Sequence, residues 1–91
     1  MAAVKNSVAF QISIASSATP QQLPSWALVN GGTLAAKTGN TAAIAISPNP
    51  AVSGSNGFLL GAGQQAPFTG SNTNQLWVEG TSGDVLSFLG N

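Results

Sequence analysis

The sequence has no cysteine and no histidine, and only four of its 91 residues carry a charge. Each absence closes a class of function. Without cysteine no disulfide can staple the fold and no thiol can serve as nucleophile or metal ligand. Without histidine as well, the Ser-His-Asp and Cys-His constellations cannot be assembled, and zinc sites of the usual kinds lose their ligands. The charged side chains are Lys5, Lys37, Glu79 and Asp84, which sum to zero. No basic stripe exists to displace counterions from phosphate, which argues against nucleic-acid binding. No stretch approaches the ~20 apolar residues of a membrane-spanning helix. The Met1–Ala18 segment has the outline of a secretory signal, with Lys5, an apolar run and then Ala15-Ser-Ser-Ala18. Gln11 and Ser13 interrupt that run by strict alternation, so the expectation is a strand and no signal.

Polarity comes from uncharged groups: 11 Ser, 7 Thr, 8 Asn and 6 Gln. A chain of 9.0 kDa forms one domain, residues 1–91, and size scaling lets it bury about 60% of its unfolded surface. That supports one thin core, which a partner subunit or docking on a larger body would reinforce. Near-zero charge gives little solubility by repulsion, which suits a protein living inside an assembly.

The patterning is that of strands. Val8, Phe10, Ile12 and Ile14 alternate with Ala9, Gln11 and Ser13, which predicts one buried and one wetter face. Ser16 to Leu23 reads as loop, and Ser25 to Val29 as a short strand with Trp26 and Leu28 on one side. Asn30-Gly31-Gly32 is a turn, since Asn and Gly accept positive φ at low cost. Thr33 to Lys37 and Thr41 to Ile46 follow as strands, the second stopped by Ser47-Pro-Asn-Pro50. Residues 47–57 read as a long polar loop, Phe58 to Leu60 as a short buried strand, and Pro67-Phe68 as an edge. Leu76 to Val78 and Val85 to Leu89, joined by Gly80-Thr-Ser-Gly-Asp84, read as a β-hairpin at the centre of the fold. No helix of useful length is expected. The fold class is all-β, a small antiparallel sandwich or barrel of about six to eight strands.

Candidate chemistry is sparse. Glu79 and Asp84, the only carboxylates, fall at the two ends of the predicted hairpin turn, where they read as solubilising charges. Their amides, Glu79→Gln and Asp84→Asn, should then cost little. Paired carboxylates for glycoside hydrolysis need a cleft with shifted pKa values, and a calcium site needs six or more oxygens. Gly61-x-Gly63 lacks the helix that a phosphate cradle requires and reads as a turn. Lys37 would act as a Schiff-base amine only if buried, and Thr38-Gly39 beside it signals a turn. No enzyme, cofactor or metal is expected. Trp26 and Trp77 could stack on sugar rings or fill a core, and the amides over residues 64–75 could serve sugar hydroxyls or a neutral loop. If the protein binds sugar, one tryptophan must stand exposed on a shallow face; otherwise both belong in a core or an interface.

Thr38-Gly-Asn-Thr41, Asn56-Gly-Phe-Leu-Leu-Gly-Ala-Gly63 and Asn74-Gln-Leu-Trp-Val-Glu-Gly-Thr-Ser-Gly-Asp-Val-Leu-Ser-Phe-Leu-Gly90 together resemble a group of small structural proteins of tailed bacteriophages. The first turn is permuted relative to that group's Asn-Thr-Gly. The resemblance covers residues 38–90. It implies a small β-sandwich on the virion, commonly a decoration or cement protein on the head surface and sometimes a neck or tail component. It also implies the major capsid protein as partner and a homo-oligomer, a trimer by preference. It brings no catalytic residues, and it points to neither nucleic acid nor membrane. A carbohydrate-binding module of a virion spike is the alternative of a different class.

Overall fold

The computed structural model describes residues 7–91; Met1 to Asn6, with Lys5 and the start of the signal-like segment, lie outside the described residues. The strands are β1 (Val8–Ser13), β2 (Gln21–Gln22), β3 (Gly32–Ala36), β4 (Ile44–Ser47), β5 (Phe58–Leu60), β6 (Gln65–Phe68), β7 (Trp77–Glu79) and β8 (Val85–Gly90). The only helical element among the described residues is a 3-10 turn at Thr73–Gln75, closed by a capping box between Asn72 and Gln75. The strands form two antiparallel sheets of four, in the orders β1-β8-β3-β6 and β2-β7-β4-β5. The protein is an all-β sandwich, and this strand order is that of an eight-stranded jelly roll.

Alternation decides what each sheet buries. In the first sheet Val8, Leu34, Ala36, Leu86 and Phe88 point inward; in the second, Ile44, Ile46, Leu60 and Val78 meet them. Phe88 stacks on Phe10, ring centroids 5.5 Å apart, at an offset-stacking distance. The loop after β4 folds back over the outside of the second sheet. There Val52 is buried beside Ala45, and any Cβ on Gly57 would come within 2.8 Å of Val52 and 3.0 Å of Ala45. The long loop predicted over residues 47–57 is therefore a lid on one sheet face, with its own small apolar contact.

The predicted central hairpin is not formed. β7 pairs with β2 and β4, whereas β8 pairs with β1 and β3. Each strand is interior to its sheet, but the sheets are different, and Gly80 to Asp84 is an arch between them. Five residues are long enough either to close a hairpin or to step the ~10 Å between packed sheets. Side-chain alternation is the same in both cases. What settles the matter is the other end of β1: Ile14 donates to the Asp84 carbonyl (2.8 Å) and accepts from the Gly83 N–H (3.0 Å), which draws the arch onto the first sheet.

Three smaller expectations also change. Ser25 to Val29 makes only an isolated bridge, Ala27 to Asn72, and Trp26 is exposed while Leu28 is buried. Phe58 and Leu59 are exposed on an edge strand, not buried. Gln21–Gln22, read as loop, is a short edge strand against β7.

Candidate functional site

The strand register places every connection at one end or the other. At one end lie the Gly32–Gly90–Val8 row of the first sheet and the Ser47–Trp77–Gln22 row of the second. The loops there span residues 23–31, 48–57 and 69–76, together with Asn91. At the opposite end lie the loops over residues 14–20, 37–43, 61–64 and 80–84.

Among the described residues the second end carries the charge. Asp84 is 5% exposed, and its two carboxylate oxygens accept from the backbone N–H of Thr41 (2.8 Å) and of Ala42 (3.1 Å). The Asn40 side chain does the matching work one residue on, donating to the Val85 carbonyl (2.9 Å) and accepting from its N–H (2.8 Å). Asp84 and Asn40 thus clamp the loop after β3 onto the start of β8. The Thr41 N–H bond holds the Asp84 carboxyl below its ordinary 3.8, opposed by burial and aided by the Ala42 N–H and the Thr41 hydroxyl. This corrects the expectation of a solvated tip charge; Glu79, by contrast, is half-buried at the end of β7.

Because the folded carboxyl titrates below 3.8, its ionisation favours the folded chain above that value, and the contribution is lost as pH falls through the lowered folded value. Asp84→Asn is therefore expected to reduce the urea midpoint at neutral pH, with the difference from wild type closing as pH drops below 3.8. Equal midpoints for the two proteins at neutral pH would show that the clamp adds nothing.

The first end is apolar and carries no charge among the described residues. Trp26 (49% exposed), Val29, Phe58 and Leu89 stand out of it into solvent. Their backbones are fixed. Trp26 donates its N–H to Asn72 Oδ1 and Thr73 Oγ1 (both 3.1 Å) and accepts from the Thr73 N–H. Val29 and Asn30 both donate to the Asn91 carbonyl, and the Asn91 N–H returns to Gly31. Beside Phe58 an apolar pocket of about 370 Å³ opens between the edge strands β5 and β6. Pro48, Pro67 and Phe68 form its rim and Leu34, Ile46 and Leu76 its floor.

The other sequence candidates do not converge. Trp77 is half-buried on the outer face of the second sheet, in register with Ser47 and Gln22. Gly61 to Gly63 forms the turn between β5 and β6, with Gly63 at φ +77°. Lys37 is exposed at the charged end. Among the described residues no three metal-ligating side chains cluster, and no helix is long and apolar enough to cross a membrane.

No family model, curated protein or solved structure matches this chain. Sequence reading singled out Trp26 but missed Val29, Phe58 and Leu89. A signal existed for two of them: Val29 directly precedes Asn30-Gly31-Gly32, and Phe58 directly follows Asn56-Gly57. An apolar residue flush against a turn sits where a strand leaves the core.

Proposed function

We propose that the protein is a virion structural component, a decoration or cement protein that docks on the outer surface of a bacteriophage head and bridges neighbouring subunits of the major capsid protein. The observation that supports docking is the separation along the sandwich. The exposed aromatic and aliphatic side chains Trp26, Val29, Phe58 and Leu89 lie toward the end that carries no charge among the described residues, while Lys37 and Asp84 lie at the other. An apolar centre with depleted charge is what a protein interface needs, because buried charge would be costly there. The virion setting rests on the sequence resemblance over residues 38–90, and a neck or tail position uses the same surface. The jelly-roll strand order is compatible, since the fold serves capsid proteins and lectins alike. Small individual patches reach useful avidity by repetition over a lattice of identical sites.

One observation favours a second reading. Trp26 is half exposed and its backbone N–H is bonded to the Asn72 side-chain oxygen, which leaves an aromatic face open of the kind a sugar ring stacks on. The test mixes purified protein with undecorated heads and, separately, with immobilised glycans. Head binding is expected to saturate at a stoichiometry set by capsid symmetry and to change little with salt, since few charges take part. Val29→Lys, at an almost fully exposed position, should weaken it without loss of fold. Saturable glycan binding abolished by Trp26→Ala, with no head binding, replaces the decoration reading with a carbohydrate-binding one.

A further inference from the structure

Four strands lie at sheet edges, and three of them are blunted. β2 has two residues and β5 three, too short to template another strand. β6 carries Pro67, and its paired residues are Ala66 and Phe68, so the proline stands where an outward N–H would be. β1 has none of these protections. It runs six residues, Val8–Ser13, with no proline and no charged side chain.

The backbone groups that β1 offers can be read from its inner ladder. Ile14 exchanges hydrogen bonds with the arch at Gly83 and Asp84. Antiparallel alternation then turns Val8, Phe10 and Ile12 toward β8, and Ala9, Gln11 and Ser13 outward. The Ser13 carbonyl is already occupied by the Gln21 side-chain N–H (3.2 Å), whose oxygen accepts from Ala15 (3.1 Å). The N–H and C=O of Ala9 and Gln11 remain without partners among the described residues. On the inner face of the same edge Phe10 and Ile12 are only half-buried, because the facing edge strand, β2, is short.

We propose that β1 is a pairing edge for a second copy of this chain, the two strands running antiparallel about a two-fold axis at Phe10. Opposed residues in an antiparallel pair share a face, so Phe10 must meet a residue of its own parity. Centring on Phe10 sets Ala9 against Gln11 of the second copy, and the reverse. That satisfies all their free groups and leaves the Gln21 cap on Ser13 in place. It also lays Phe10 on its symmetry mate and Val8 on Ile12, covering the half-buried side chains. Centring on Gln11 would instead force Ala9 against the capped Ser13. With no charge on the strand, self-pairing brings no like-charge repulsion. A strand about 20 Å long gives an interface at the small end of the specific range, so a dissociation constant of roughly micromolar order is expected. Such a pair closes at two copies, in place of a trimer, and it does not rest on the decoration reading.

Sedimentation velocity over a wide concentration range tests this, with two double variants on the exposed outer face. Ala9→Lys with Gln11→Lys sets lysine against lysine in the proposed register and should weaken the dimer at least about tenfold. Ala9→Lys with Gln11→Glu sets lysine against glutamate and should retain or tighten it. Amide exchange of the wild type supplies an independent readout: the Ala9 and Gln11 amides should gain protection with concentration, while that of Phe10 should not. A protein monomeric throughout, a dimer indifferent to the lysine pair, or Ala9 and Gln11 amides insensitive to concentration would each overturn the proposal.

Discussion

Replacing Phe88 with alanine is expected to lower the unfolding free energy by about 3–5 kcal/mol, the range for deleting a buried aromatic. Phe88 is 2% exposed, at the middle of the first sheet, with Phe10 opposite on β1 and Leu34 opposite on β3. Its ring packs against Phe10 on one side and reaches over Gly32 and Gly90 on the other. The cavity left by truncation would be bounded by three strands, which cannot all close in on it without breaking register. Leu89→Ala, one residue on but facing solvent, should cost well under 1 kcal/mol. Urea unfolding of the two variants side by side checks the ranking. Equal costs would mean that the inner and outer faces of β8 are assigned wrongly.

Gly90→Ala is expected to be nearly as damaging, for the opposite reason. Gly90 and Gly32 sit across from each other in the ladder, and the Phe88 ring lies over them. A Cβ at Gly90 would run into the Gly31 carbonyl oxygen and come within 2.8 Å of both Gly32 Cα and the tip of the Phe88 ring. Two of those three obstacles are backbone, so the sheet itself must shift, and the cost should be about 3 kcal/mol or more. Gly39→Ala, where an added Cβ meets nothing within 4 Å, is the matched control. The two large effects are coupled. Because the Phe88 ring is one of the colliding groups, Gly90→Ala should cost less in a Phe88→Ala background than in the wild type. Simple additivity of the two in the double variant would show that the ring and the glycine do not share this space.

Period two in Val8 to Ile14 states which side of β1 faces the core, and the structure follows it residue by residue. The all-β class was legible for the same reason, as was the turn at Gly61 to Gly63. Alternation says nothing about neighbours, however. Leu76 to Val78 and Val85 to Leu89 have the same pattern whether they pair with each other or with strands many residues away. Asp84 was misread on the same account. Its carboxylate is held by amides at Thr41 and Ala42, and nothing local to Gly80–Asp84 announces partners that far along the chain. Of the candidate surface, Trp26 was visible as a residue type. That Val29, Phe58 and Leu89 lie toward the same end depends on the order of strands, which only the three-dimensional pairing supplies.

That pairing has a consequence for how the protein is made. Among the described residues the strand Val8–Ser13 has its only strand partner in Val85–Gly90, and β3 also needs β8 beside it. A nascent chain emerging from the ribosome at about 5–20 residues per second therefore presents β1 several seconds before the segment that completes its sheet. Until β8 is made that strand has no neighbour among the described residues, and a loop over most of them must close before the β1–β8 pair exists. Only once β8 is made can β1 and the β3–β6 pair be joined into one sheet.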